Sequence, residues 1–401
     1  LDPRAPFKPG ETNMPDWNAY RAEFPVTERR TYMNHAAVCP LSKRILRASE
    51  ECYLDFSLRG AEAFRDWMDR IEQVRELTAG LLNAESFEIA FTGNTSDGLS
   101  AVANGIDWNS GDAVLITDPD FPANIYPWMN LERRGVAVRR IERRHGRFDV
   151  RDMEKALSGN VRLVSVSSVD FATGFRCDLE DVGDFCRRKG LLLCVDAIQS
   201  LGAVPTDVRQ CGIHFLAAGG HKWLLGPMGC GVLYIASEVN AEIRPERVGW
   251  KSVVGDEDFF RIQFDLKPDA ARFETGTMNA AGIHCLGAAV ELLQEVGVEA
   301  VFTRIRQLTD LLVQGLKERK RKIVSPLQPG ERSGILSFLP AGNPTELFHA
   351  LSRRGVAVSL RGDTIRLSPH FYNNEDDVEE FFEALDASAN APGKGIRFGE
   401  P

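Results

Sequence analysis

Lys222 stands in AAGGHKWLLGPMGCG, residues 217–231, after a short apolar run and two glycines. Alone, such a lysine reads as an ordinary surface residue. Asp196 changes that reading, because it closes the apolar run LLLCVD and a carboxylate at the end of a buried strand needs a partner. The two residue types meet the needs of pyridoxal phosphate: an amine to condense with the aldehyde, and a carboxylate to keep the pyridine nitrogen protonated so that the ring accepts electrons. FTGNTSDG at 91–98 would take the phosphate, with Gly93, Asn94, Thr95 and Ser96 ahead of a helix whose free N–H groups favour an anion. Read by itself, GNTSDG is equally a plain helix cap. A nucleotide site has less support, since GPMGCG at 226–231 precedes a strand and no Walker lysine motif exists.

These residues need a scaffold, and the chain supplies strand-like runs at 88–93, 113–118, 162–169, 191–196, 215–220 and 231–236, several separated by helical patterns. Val164 to Asp196 reads as a βαβ unit: an apolar strand, a helix with Val182, Phe185 and Cys186 inward, a stop at Lys189-Gly190, and a second apolar strand. Parallel sheets bind ligands beyond the carboxyl ends of their strands, where Asp196 and the loops after Thr92 and Ala218 would lie. Phe64, Trp67, Met68, Ile71, Val74, Leu77 and Leu81 recur at helical spacing, with Gly80 and Asn83 as a stop. Beyond about residue 285 the pattern predicts one long helix over roughly 286–319, then short strands at 334–338 and around VAVSL and TIRLS, and helices near 345–353 and 375–386. The expected architecture is α/β. A large domain over 31–285 holds a mostly parallel sheet between helices, a smaller α+β domain covers 286–401, and residues 1–30 form an arm joining the small domain.

Composition fits this reading. The 401 residues are 43% apolar and 26% charged, an ordinary globular balance for two or three domains at ~150 residues each. A net charge of −9 argues against an extended basic surface for nucleic acid or anionic lipid. No apolar run approaches the ~20 residues of a membrane helix, and the first twenty residues lack a signal core, so a cytoplasmic enzyme of small molecules is expected. The eight cysteines form no CxxC pair and read as reduced core thiols, with neither disulfides nor a metal site expected. Seven arginines lie between Arg133 and Arg147; VAVRRIERR there predicts a solvated edge strand with no assigned function, and KERKRK at 317–322 the polar end of a helix.

Along residues 30–385 stand, in order, YMNHAA, TGNTSDG, DPDFPANIYPW, VSSVDFATG, CVDAIQS, GGHKWLLGPMGCG, RFETGTMN and RLSPHFYN. The set resembles the class V aminotransferase and cysteine desulfurase group of fold-type I pyridoxal-phosphate enzymes, which includes kynureninase and isopenicillin N epimerase. The resemblance implies a seven-stranded-type sheet, pyridoxal 5'-phosphate as cofactor, an amino-acid-like substrate and a homodimer with shared active sites. It gives Lys222 the Schiff base, Asp196 the pyridinium, Gln199 the phenolate oxygen, and Phe121 a stacking place on the ring where desulfurases usually carry histidine. Asn94, Thr95 and His221 match phosphate-side positions, while the serine often found three residues before the lysine is Gly219 here. Ser168 stands where many relatives have asparagine near the phenolate edge. Arg366 matches the arginine for the substrate carboxylate, a task that suits a planar guanidinium; without the family it reads as solvated edge. Asn34 and His35 match a segment closing over the substrate, His35 being either a polar contact or a capped loop residue. Gly276 and Thr277 match a pair that reaches the neighbouring subunit's cofactor phosphate; by spacing alone they are a turn before a helix starting near 281.

The resemblance also narrows the reaction. Desulfurases carry a nucleophilic cysteine just ahead of the carboxylate arginine, but SLRGDTIRLSP runs from Arg361 to Arg366 without one, and the last cysteine is Cys285. The expected reaction is aminotransfer, which needs no group beyond Lys222; a C–S or β-elimination lyase without a catalytic cysteine, or an epimerase, is the alternative. A catalytically idle binding relative would not require Lys222, Asp196 and Arg366 together.

Overall fold

The computed structural model describes residues 15–144 and 146–389. A short strand β1 (Thr31–Tyr32) precedes the main sheet. That sheet consists of β2 (Ile89–Thr92), β3 (Asp112–Asp118), β4 (Ala137–Glu142), β5 (Asn160–Ser167), β6 (Leu192–Asp196), β7 (Phe215–Gly219) and β8 (Gly231–Ile235), in the spatial order β2-β8-β7-β6-β5-β3-β4. Only β8 runs against its neighbours; the other pairings from β7 to β4 are parallel. Thr92, Asp118, Ser167, Asp196 and Gly219 therefore end their strands at one edge of the sheet. Strands β7 and β8 are buried along their whole length, as expected of strands covered by helices on both faces. At the other side β4 is an edge strand with Arg139 and Arg140 exposed, as its sequence predicts.

Local chemistry sets the helices that frame the edge. Asn94 caps helix Thr95–Gly105 by accepting the Asp97 N–H at 3.0 Å. That helix lies close on the sheet, since a Cβ at Gly98 would come within 2.8 Å of the Ala217 Cβ. Helix Leu179–Lys189 ends on Gly190, whose φ of +65° makes the left-handed cap. The predicted amphipathic helix runs Phe64–Gly80, with Ile71 and Val74 fully buried.

A second, antiparallel sheet follows, from β9 (Lys322–Ile323), β10 (Leu336–Leu339), β12 (Ser359–Arg361) and β13 (Thr364–Leu367), in the order β12-β13-β10-β9. Strand β11 (Val356–Ala357) pairs in parallel with β1, and Asn34 bridges to Ser368, so the N-terminal segment is stitched to this part of the chain. Of the expected arm, residues 15–30 hold a helix, Trp17–Arg21, and a 3-10 turn, Pro25–Glu28; residues 1–14 lie outside the described residues. The single helix expected over 286–319 is in fact two, Ala280–Val296 and Val298–Glu318, because Gly297 adopts a φ of +84° that ends the first. Core membership changes within the second: Val301 and Ile305 pack with the main sheet, Leu308, Leu312 and Leu316 with the small one. No helix among the described residues is long and apolar enough to cross a membrane.

Candidate active site

Asp196 ends β6 with Ser167 and Ala217 beside it in register. Its side chain is buried and accepts the Ile198 N–H at 3.0 Å. Lys222 follows β7 by three residues, is 8% exposed, and holds its Nζ 5.6 Å from the centre of the Phe121 ring. Burial raises the Asp196 carboxyl to about 7; the Ile198 N–H and the Lys222 charge oppose this, and the Asp120 charge adds to it. Burial likewise pulls the Lys222 ammonium down to about 8, against the attraction of Asp196 and with Arg366 and Arg361 pushing further. Both groups are thus drawn toward neutrality, which frees the amine for nucleophilic work near neutral pH. A cation placed against Asp196 would return it to carboxylate.

The residues expected at the phosphate lie at the same sheet edge. Thr95 is buried and its hydroxyl accepts the Gly219 N–H at 2.9 Å, leaving its own proton for an acceptor. Asn94 is exposed at the helix N-terminus. His221 lies close to residue 219: a Cβ on Gly219 would meet the imidazole at 3.1 Å. Burial and the Lys222 charge lower its proton affinity, keeping the ring neutral. A cavity of about 260 Å³ is lined by Thr92, Gly93, Asp97, Gly276 and Thr277. Gly276 and Thr277, expected at a neighbouring subunit's phosphate, line this cavity within their own chain, beside the glycine turn that leads into the capped helix. A larger hollow of about 1110 Å³ lies between the helices Phe64–Gly80 and Ala280–Val296; Glu180, Asp207, Glu291, Glu295 and Glu299 line it, and none of the candidate site residues does.

Arg366 is 1% exposed on β13. Its Nη1 donates to the Phe171 carbonyl at 2.5 Å and its Nη2 to the Ser359 hydroxyl at 3.4 Å, while Nε has no partner. Burial, with the neighbouring Arg361, lowers its proton affinity to about 9. Among the described residues neither Arg361 nor Arg366 forms an ion pair within 4.0 Å, so two guanidinium groups stand near Lys222 without a carboxylate of their own. Asn34 bears on Arg366 through Ser359, whose hydroxyl donates to Asn34 Oδ1 at 2.6 Å.

Three expected ligands are engaged elsewhere. His35 has no exposed surface; Nδ1 bonds the Ser368 carbonyl at 2.9 Å and Nε2 the Tyr372 hydroxyl at 2.7 Å, and burial pulls its proton affinity down to about 4. Of its two readings, the packed loop residue is the one the structure shows. The Ser168 hydroxyl bonds Ser200 at 2.6 Å and donates to the Asp196 carbonyl at 3.1 Å, bracing the strand end. Gln199 accepts the Trp223 indole N–H at 2.9 Å and donates to the Ala36 carbonyl at 3.1 Å, which leaves one amide proton. Sequence reasoning missed Arg361, Asp120, Asp170 and Arg143. The last falls in the basic stretch read as solvated, yet its side chain is 2% exposed.

An amine, a carboxylate, an aromatic ring and a capped helix N-terminus thus converge at one sheet edge, a donor set that fits pyridoxal phosphate. The family model described as aminotransferase class-V matches residues 31–381. A protein of Methanothermobacter thermautotrophicus named "Probable cysteine desulfurase" is 30% identical over 392 residues, covering 92% of this chain and 97% of its own. Two solved structures of C-DES are 26% identical. One, a lysine variant with glycine covalently linked to the PLP cofactor, has a TM-score of 0.86 and covers 93% of this chain and 99% of its own. The other, described as a cystine C-S lyase with its product cysteine persulfide, has a TM-score of 0.84 and covers 90% and 98%. Sheet order, cofactor chemistry and a match along most of the length agree: the chain belongs to the class-V aminotransferase family of fold-type I enzymes, and its cofactor is pyridoxal 5'-phosphate.

Proposed function

We infer that the protein is a lyase that removes a β-substituent, sulfur-linked by preference, from a carboxylate-bearing amino acid, without passing the product through a thiol of its own. The carrying observation is that all eight cysteines are buried and free while Lys222, Asp196 and two guanidinium groups with no ion pair among the described residues share the site. The buried thiols Cys39, Cys177, Cys194 and Cys230 are held above their ordinary proton affinity by desolvation, so none is a ready nucleophile. The names of the relatives favour C–S cleavage over the aminotransfer expected from the sequence. Aminotransfer stays as the second reading, because Lys222 alone can move the proton it needs.

When bound, pyridoxal phosphate supplies an aldehyde carbon for the substrate amine and a ring that withdraws electrons. Asp196 would keep a proton at the ring nitrogen, Phe121 would cover the ring, and Asn94, Thr95, His221 and the helix N-terminus would hold the phosphate. Gln199 has one amide proton left for the phenolate oxygen. Lys222 Nζ, its proton affinity lowered to about 8 by burial, would take the α-proton and pass it to the sulfur that leaves as the Cβ–S bond breaks. Arg366 orients the α-carboxylate, and Arg361 suits a substrate with a second acidic group, such as a disulfide of two amino acids. Gly276 and Thr277 serve the neighbour's phosphate in a homodimer.

The test is incubation of the holoenzyme with L-cystine and L-alanine, each with and without an added keto acid. Pyruvate and ammonia from cystine in equal amounts, without added keto acid, support the lyase. Amination of the keto acid at the expense of alanine, with no pyruvate from cystine, would make it an aminotransferase.

A further inference from the structure

Arg143 lies one residue beyond the edge strand β4, on which Arg139 and Arg140 are exposed. Its own side chain turns inward between two buried aspartates. Arg143 Nη2 is 3.2 Å from Asp120 Oδ2 and 3.2 Å from the Thr117 hydroxyl, and Nη1 pairs with Asp170. Each aspartate organises a turn at the ligand-facing edge of the sheet. Asp120 Oδ1 accepts the Phe121 N–H at 2.7 Å and the Ser167 hydroxyl at 2.8 Å, while Oδ2 accepts from Thr117 at 2.6 Å and Asn124 at 3.2 Å. Asp170 Oδ1 accepts the Ala172 N–H at 3.1 Å and both the N–H and hydroxyl of Thr173, at 2.6 and 2.7 Å.

The residue after each aspartate is the one that meets the site. Phe121 follows Asp120 and faces Lys222. Phe171 follows Asp170, gives its carbonyl to Arg366, and sets its ring edge-on to Phe121 at 5.3 Å. One guanidinium therefore joins the turn that presents the ring-covering Phe121 to the turn that anchors the carboxylate-reading Arg366. We propose that Arg143 is a positioning residue that holds Phe121 and Arg366 in mutual register by clamping these two turns. The proposal rests on the functional reading above. A planar fork can serve two carboxylates on separate nitrogens; a lysine cannot do so with the same geometry. Losing the fork would leave two buried carboxylates sharing no cation.

The test uses holoenzyme of Arg143→Met, Arg143→Lys, Asp120→Asn and Asp170→Asn, each confirmed folded by far-ultraviolet circular dichroism. Two signals are read: visible circular dichroism of the bound cofactor, which reports the ring's setting, and absorbance titration with L-alanine and with ethylamine, which lacks the carboxylate. Arg143→Met should change the dichroism and weaken L-alanine about tenfold while ethylamine shifts less than about twofold. Arg143→Lys should recover part of both. Asp170→Asn should lose selectivity for the carboxylate, and Asp120→Asn should mainly alter the dichroism. If Arg143→Met does not fold, the split between the two Asn variants decides. Equal weakening of alanine and ethylamine, unchanged signals in folded Arg143→Met, or one common pattern in both Asn variants would overturn the clamp. A wild-type enzyme blind to L-alanine would count against the functional reading instead, and the dichroism would still decide the role of Arg143.

Discussion

Lys222 Nζ sits 5.6 Å from the centre of the Phe121 ring, within the range at which an aromatic face attracts a cation. Burial works the other way and prevails, lowering the ammonium to about 8. Since only the neutral amine attacks an aldehyde, covalent attachment of pyridoxal phosphate to the apo-protein should quicken as pH rises and reach half its maximal rate near pH 8. Stopped-flow absorbance over pH 6–11, with borohydride trapping to place the label on Lys222, measures this. A midpoint above 10, or label on another lysine, would show an ordinary amine or a different site.

Asp196 yields a prediction with two readouts. Its carboxyl is raised to about 7 in the apo-protein, above the unfolded value of 3.8, so its contribution to stability is complete below pH 4 and is lost as pH rises through 7. Asp196→Asn removes that loss, and the apo variant should gain melting temperature relative to wild type progressively from pH 4 to pH 7. With cofactor bound the effect on chemistry is opposite: exchange of the substrate α-proton with deuterated water should fall on the order of 100-fold. Normal exchange in a folded Asp196→Asn variant would detach the carboxylate from the ring nitrogen.

The two guanidinium groups near Lys222, Arg366 and Arg361, should separate by substrate. Arg366→Lys keeps the charge and loses the fork, which should raise KM for every amino acid by about ten- to a hundredfold while leaving amines without a carboxylate nearly unchanged. Arg361→Met should spare monocarboxylic amino acids and penalise those with a second acidic group. Steady-state kinetics with alanine, cystine and a simple amine distinguish the cases, and a uniform loss across all three would assign both arginines to folding.

The parts of this molecule legible in the sequence are those whose signal is local. The six apolar runs are six of the seven main-sheet strands, to within a residue or two, because strands buried on both faces must be apolar throughout. Lys222 and Asp196 stood out because charged residues at the ends of such runs are costly without a partner. Gly297 did not, since apolar periodicity continues across it and only its φ of +84° divides the helix. Arg143 was hidden for a related reason: its strand reads as edge, and what draws the side chain inward is a pair of aspartates on two other turns. For His35 and Ser168 the motif gives residue type at a position but not the hydrogen bonds each makes within the protein, which depend on Ser368, Tyr372 and Ser200 elsewhere in the chain.

The last prediction concerns a second subunit. Thr277 is exposed and lines the cavity beside Gly93 together with Gly276. The neighbouring lobe, tied to this segment by the Lys251 N–H and the Thr275 carbonyl at 3.5 Å, exposes Phe259, Phe260, Ile262 and Phe264. Exposed apolar side chains of that kind suit burial against another chain. If Thr277 serves the partner's phosphate, Thr277→Asp subunits should repel the cofactor phosphate from the site across the interface while keeping their own Lys222. Mixing them with Lys222→Ala subunits places both lesions in one site of each mixed dimer and leaves the other intact, so activity absent from either parent should return to about half the wild-type value per mixed dimer, as two-fold symmetry requires. Differently tagged subunits allow the mixed species to be purified and assayed. Mixed dimers that form without activity, or an active wild-type enzyme that sediments as a monomer, would confine Thr277 to its own subunit.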